Sequence, residues 1–71
     1  MDRQMETRHL AVADRKIAEG EARAERQLEL IERLKMRGAD TATADALLDL
    51  LRQTLMGWNR ERDLIIATLN A

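Results

Sequence analysis

The segment Leu34-Lys-Met-Arg-Gly38-Ala-Asp-Thr41 divides the chain into two stretches rich in helix-forming residues. Gly38 stands where a glycine readily takes the left-handed conformation that ends a helix. Asp40 or Thr41 can then cap a second helix. Because so short a connection holds neighbouring helices antiparallel, the segment predicts a helical hairpin. Its expected parts are a first helix over about 7–37, a turn at 38–40 and a second helix over about 41–69.

An apolar stripe runs along each stretch, and the two stripes match across the turn. Stripe residues recur at intervals of three and four, as one face of a helix requires. When the chain is folded back at Gly38, the paired residue numbers add to 78 or 79. One pair sets the small Gly20 against the large Trp58, which favours interlocking side chains. The pairs are Leu34–Ala44, Ile31–Leu48, Leu28–Leu51, Ala24–Leu55, Gly20–Trp58, Ile17–Arg62, Ala13–Ile65 and Leu10–Leu69, and the stripe of the second helix also includes Leu47.

The composition agrees with an all-α fold made of two long antiparallel helices. The 71 residues include no proline and one aromatic residue, which suits uninterrupted helices and not a β fold. A chain of this length forms one domain, residues 1–71, with a small core. Because it has no cysteine, disulfides and thiolate metal sites are excluded, and association with another chain is the expected source of added stability. Residues 1–6 are expected to extend past the second helix.

A second set of apolar residues lies beside the main stripes and cannot be covered within one hairpin. We expect this set, with Trp58, to form an interface through which two hairpins build a homodimeric four-helix bundle of coiled-coil type. A different protein partner is the alternative occupant, and the parallel or antiparallel topology of the dimer stays open. The candidate interface residues are Val12, Leu30, Leu50, Gly57, Trp58 and Leu64.

Two residues on the second stripe admit a packing and a binding interpretation. Trp58 is expected to pack inside the hairpin or at a dimer seam, and its alternative role is to anchor a foreign partner. Arg62 interrupts the apolar stripe, so its charge needs a partner or a route to solvent. Asp14 and Glu21 lie within about one helical turn of its expected level. The alternative for Arg62 is a specific anionic ligand.

The sequence offers no catalytic, cofactor-binding or metal-binding pattern. His9 is the only histidine, and a single histidine cannot build a metal site. The carboxylate pairs Asp45/Asp49 and Glu21/Glu25 lie on helices that enclose no pocket for acid–base catalysis. Phosphate loops, nucleophile elbows and zinc spacings are absent from the sequence. We therefore expect a protein that is not an enzyme and has no cofactor and no small-molecule substrate.

The charge pattern limits the partners. A formal net charge of −1 with mixed signs argues against a general polyanion binder. No apolar run reaches the length of a membrane span, and the N-terminus lacks the apolar core of a signal peptide. These features and the lack of cysteine predict a cytoplasmic protein without a membrane contact. The nucleic-acid alternative is an RNA-binding four-helix bundle that uses Arg8, Arg15, Arg23 and Arg26.

Two strings in the first helix carry a resemblance to known proteins. His9–Glu21 reads HLAVADRKIAEGE and Arg26–Ile31 reads RQLELI. With Gly38–Thr41 and the leucines of the second helix, they resemble a group of short, helical bacterial proteins of unknown function. The resemblance covers about residues 8–69 and rests on the patterns ADRxIAEGE and RQxxLI. It implies a bacterial cytoplasmic protein and no particular activity.

These observations lead to one functional hypothesis and two alternatives. The hypothesis is a small, non-enzymatic interaction or regulatory protein that acts through a self-associating hairpin. One alternative is the RNA-binding bundle. The other is a subunit or inhibitor whose hairpin is stabilised by a larger partner.

Overall fold

The computed structural model describes residues 2–71, which form two antiparallel α-helices joined by a short turn. Helix α1 spans Arg3–Met36 and helix α2 spans Ala42–Leu69. The described residues form a rod of 54 × 14 × 13 Å and contain no strand. The predicted all-α helical hairpin is therefore confirmed. Neither described helix contains an apolar stretch that is long enough to cross a membrane.

The turn has the geometry that the sequence predicts around Gly38. This residue has a φ of 69°, in the left-handed region. The amide of Gly38 donates to the carbonyl of Lys35 at 3.0 Å, and the amide of Ala39 donates to the carbonyl of Leu34 at 2.9 Å. These two bonds form a Schellman motif, which satisfies carbonyls at the end of α1. The glycine is needed because an L side chain is strained at this φ.

Hydrogen bonds made by the side chains of Asp40 and Thr41 order the start of α2. Asp40 Oδ1 accepts a hydrogen bond from the amide of Ala42 at 3.0 Å. The Thr41 hydroxyl donates to Asp45 Oδ2 at 2.9 Å, which holds a carboxylate in the first turn of α2. An acidic group at this end stabilises the helix because it faces the positive end of the helix dipole.

Helix α1 begins four residues before the expected start at about 7. The Asp2 carboxylate caps it by accepting from the amides of Gln4 at 3.0 Å and Met5 at 3.3 Å. Arg3 Nη1 donates to the carbonyl of Leu69 at 2.6 Å, which places a cation at the C-terminal end of α2. Because α1 has 34 residues and α2 has 28, this segment extends past the end of α2 as expected, and the long Arg3 side chain reaches back to it. Met1 lies outside the described residues.

The core is a narrow seam between the two helices. Its buried apolar residues are Ala13, Ile17, Ile31 and Leu48. Gly20 is also buried, and a Cβ added to it would lie 2.8 Å from Leu55 Cδ2 and 3.0 Å from Trp58 Cζ3. The predicted contact of Gly20 with Trp58 is thus present, and the close approach of these side chains explains the glycine.

The seam differs from the predicted stripe at one position of α1. Gln27, and not Leu28, lies in the seam: Gln27 is half-buried and its Nε2 donates to the carbonyl of Ala44 at 2.9 Å, whereas Leu28 is exposed. Leu47, expected on the apolar stripe of the second helix, is exposed as well. Both corrections follow from a repeat of 3.5 residues per turn, which keeps the contact stripe of supercoiled helices in place. The seam positions of α1 are Leu10, Ala13, Ile17, Gly20, Ala24, Gln27, Ile31 and Leu34.

Candidate interaction surface

An ion pair lies along one side of the seam. Arg62 Nε donates a hydrogen bond to Asp14 Oδ1, and both side chains are partly exposed. This hydrogen bond, with the attraction between the two charges, raises the pKa of the Arg62 guanidinium above its ordinary value. Of the two predicted partners, Asp14 and not Glu21 makes the contact. The charge that interrupts the apolar stripe is thereby satisfied within the hairpin.

A cation–π contact lies along the opposite side of the seam. Lys16 Nζ lies 5.0 Å from the centroid of the Trp58 ring. The edge of the same ring contacts Gly20, and Trp58 is half-buried. Because Lys16 follows Asp14 by two residues, their side chains point about 200° apart around α1. Asp14 and Lys16 therefore identify the two sides of the hairpin.

The side marked by Lys16 carries arginine and leucine side chains in rows at seven-residue spacing. A shallow groove joins the helices there, and it is lined by Arg23, Arg26, Gln27, Leu30, Arg33, Leu47 and Leu51. Residues seven apart fall on one line of a supercoiled helix, which extends the groove into a face along the rod. We call this surface the Arg–Leu face. Its rows hold Val12, Lys16, Glu19, Arg23, Arg26, Leu30 and Arg33 of α1 and Thr43, Leu47, Leu50, Thr54, Gly57, Glu61, Leu64 and Thr68 of α2.

The structure brings the sequence-derived interface candidates to this one side. Val12 and Leu30 come from α1, Leu50, Gly57 and Leu64 come from α2, and Trp58 borders the face at the seam. Val12, Leu50 and Leu64 are large apolar side chains left exposed. Leu47 is exposed beside Leu50, and exposed apolar groups that adjoin one another are typical of binding surfaces.

Sequence reasoning missed two parts of the face. Leu47 was assigned to the main stripe, although it is exposed at the edge of the groove. Arg33 lines the groove but is not among the residues predicted to bind a partner or RNA. The signal that could have found it is its seven-residue spacing from Arg26, which continues the row of Val12.

Gly57 forms an open notch in the middle of the α2 part of the face. No atom lies within 4 Å of a Cβ added there, so the hairpin itself gives no packing reason for a glycine. A glycine inside a helix costs roughly 0.5–1 kcal/mol relative to alanine. Leu50 and Leu64 flank the notch one heptad away on each side. The notch therefore leaves room for an atom group from outside the hairpin.

The opposite side of the hairpin is acidic. Its groove is lined by Ala18, Glu21, Ala22, Ala24, Glu25, Leu28, Leu48, Arg52 and Leu55. The same seven-residue rows add further carboxylates to this side, which we call the acidic face. Its charged residues are Asp14, Glu21, Glu25, Glu32, Lys35, Asp45, Asp49, Arg52 and Asp63. The small net charge of the chain thus conceals two sides of opposite character.

The remaining titratable candidates are not gathered into one site. His9 Nδ1 lies 3.6 Å from Glu6 Oε1, one turn away on the same helix. Glu21, Glu25, Asp45 and Asp49 are exposed. Within residues 2–71, no group of three histidine, aspartate or glutamate side chains is placed to hold a metal ion.

Comparisons with known proteins give no indication of the function. No protein-family model matches the chain, and no match was found among curated proteins or solved structures. The resemblance to short bacterial helical proteins stays a prediction. What the fold and the two faces define is a small helical hairpin with one exposed face that combines apolar and basic side chains.

Proposed function

We propose that this protein is a small, non-enzymatic interaction or regulatory protein that acts as a self-associating helical hairpin. The observation that carries the proposal is the exposure of three large apolar side chains on the Arg–Leu face, Val12, Leu50 and Leu64, which a single hairpin leaves uncovered. Contact of these side chains with water is unfavourable, and association removes it.

The small size of the seam supports the same proposal. Within residues 2–71, the buried apolar side chains are Ala13, Ile17, Ile31 and Leu48. A chain of this length buries only about 60% of the surface that its unfolded form exposes. A second copy adds apolar burial without a disulfide or a metal, and most soluble homo-oligomers are two-fold dimers.

Mass measurements on matched charge variants test the proposal. Leu50 and Leu64 on the Arg–Leu face are 59% and 67% exposed, and Met56 on the acidic side is 60% exposed. Sedimentation equilibrium should give a dimer for the wild type and for Met56→Glu, and a monomer for Leu50→Glu and Leu64→Glu. Circular dichroism checks that each variant is helical. A folded wild type that stays monomeric at every concentration would refute self-association, as would equal dissociation of all three variants.

One observation favours a second candidate, an RNA-binding hairpin. Arg23, Arg26 and Arg33 line a single groove, and a basic stripe of this kind attracts phosphates. Arg8 and Arg15, which completed the predicted RNA set, fall outside that groove. Titration of mixed RNA at low salt should show no retention if self-association is the function. Retention that weakens steeply with salt and is lost in Arg23→Gln/Arg26→Gln, but kept in Arg8→Gln/Arg15→Gln, would favour RNA binding instead.

We further propose a cytoplasmic location in a bacterial cell, on the basis of the resemblance of the first-helix strings. The remaining alternative, a subunit or inhibitor stabilised by a larger partner, predicts weak and early thermal unfolding of the isolated chain. Self-association predicts a melting temperature that rises with protein concentration. A circular dichroism melt at several concentrations separates the two.

A further inference from the structure

We infer that the occupant of the Arg–Leu face is a second copy of this chain, bound with both turns at the same end. The inference rests on the proposed self-association and adds its geometry. In this arrangement the two-fold axis runs along the rod, so that α1 of one copy lies on α2 of the other. The opposite-end arrangement would instead place α1 on α1 and α2 on α2.

The distribution of charge favours the same-end arrangement. The α1 half of the face carries Lys16, Arg23, Arg26 and Arg33 with one acid between them, Glu19. The α2 half carries a single charged residue, which is acidic; its rows are Thr43, Leu47, Leu50, Thr54, Gly57, Glu61, Leu64 and Thr68. Packing α1 on α2 places the basic half against the uncharged or acidic half. Packing α1 on α1 would bring two basic halves together, which like-charge repulsion disfavours.

Residues at the same level of the hairpin also match in chemical type. With the axis along the rod, each α1 residue faces the partner residue at its own level, where the two residue numbers add to about 78. Val12 then lies opposite the partner's Leu64, and Leu30 lies opposite the partner's Leu50. Lys16 lies opposite the partner's Glu61. Apolar groups thus meet apolar groups, and a cation meets an acid.

The notch at Gly57 receives a long side chain in the same arrangement. Arg23 stands at the level of the partner's Gly57, and its aliphatic stem can lie across a position that has no Cβ. This contact supplies the packing reason for Gly57 that the single hairpin lacks. A large group against a small one repeats the fit of Trp58 on Gly20 inside the hairpin.

The face extends along the whole rod. A side of the rod measures 54 Å by 14 Å, a projected area of about 750 Å² per copy, so nearly the whole side takes part in an interface of standard size, which buries roughly 800 Å² of accessible surface per partner. The acidic faces of both copies then point outward, away from the interface.

Distances between labels at the turn test this geometry without disturbing the interface. Ala39 is exposed in the turn, and the chain has no cysteine of its own, so Ala39→Cys accepts a single spin label. Same-end packing predicts an interchain distance well below half the 54 Å length of the rod. A distance close to that full length would overturn the same-end geometry and leave self-association standing. A monomer without any interchain signal would refute both.

Disulfide formation between mixed single-cysteine variants gives an independent test. Same-end packing predicts crosslinking when Val12→Cys is mixed with Leu64→Cys, and none when Val12→Cys is mixed with Leu30→Cys. Opposite-end packing predicts the reverse, because Val12 and Leu30 lie at matching distances from the middle of the rod. Met56→Cys mixed with Leu64→Cys is the matched control on the acidic side and should stay uncrosslinked.

Discussion

Two alanine substitutions, at Gly20 and at Gly57, separate seam packing from helix propensity. Each replaces a glycine inside a helix, so each gains about 1 kcal/mol of helix propensity. At Gly20 the new Cβ would lie 2.8 Å from the flexible tip of Leu55 and 3.0 Å from the rigid ring of Trp58, whereas at Gly57 it meets nothing within 4 Å. Overpacking of this kind costs typically 1–3 kcal/mol. We expect Gly57→Ala to stabilise the hairpin by about 1 kcal/mol and Gly20→Ala to leave it unchanged or destabilise it by up to about 2 kcal/mol.

Thermal unfolding by circular dichroism measures the difference in stability between the two variants. We expect this difference to be about 1–3 kcal/mol, the cost of overpacking alone, because both variants gain the same helix propensity. Both substitutions are made in the Leu64→Glu background, where association is expected to be absent and does not contribute. In a domain of this size each kcal/mol shifts the melting temperature by about 4–8 °C. If Gly20→Ala raised the melting temperature as much as Gly57→Ala, Trp58 and Leu55 would not pack against Gly20, and the reasoning about the seam would be refuted.

Three further substitutions test the turn, the ion pair and the first turn of α1. Gly38→Ala should lower the free energy of unfolding in urea by about 1 kcal/mol, since alanine is strained at a φ of 69°; an unchanged midpoint would contradict the left-handed turn. Arg62→Leu should raise the melting temperature, because a partly exposed ion pair with Asp14 contributes little and leucine continues the apolar stripe; earlier unfolding would show that the ion pair matters more than the seam. Asp2→Ala should speed hydrogen exchange at the amide of Gln4 with little change in global stability; unchanged exchange would argue against the cap.

The sequence was sufficient to predict the hairpin and its register. Gly38 marked the turn, and the constant sum of residue numbers placed Gly20 against Trp58 and Asp14 near Arg62. These features depend on local conformation and on the spacing of large and small residues, which a sequence displays directly. The spacing of apolar residues did not predict which of Gln27 and Leu28 lies in the seam. A straight helix favours the apolar Leu28, whereas the supercoiled seam selects Gln27, which bonds to the backbone of α2.

The composition of the Arg–Leu face was only partly predictable. Its leucines stood out because they fell beside the main stripes. Its arginines did not, because α1 also carries Arg8 and Arg15 elsewhere, and a charge on a helix surface is ordinarily solvated. The arginines lie beside Leu47 only when each helix is rotated to the right angle about its own axis. That rotation depends on packing along the whole seam. The early start of α1 combines a local cap, supplied by Asp2, with a tertiary contact from Arg3 to the last turn of α2.

The most direct test of the account is an isotope-filtered NOE experiment on an equimolar mixture of labelled and unlabelled protein. It separates contacts within one chain from contacts between two chains. We expect the Trp58 ring to contact Gly20 only within a chain, and the Leu64 methyls to contact Val12 of the partner subunit. A contact of Trp58 with Gly20 that appears only between chains would mean that the hairpin opens, and the absence of every interchain contact at Leu64 would mean that no second copy covers the Arg–Leu face.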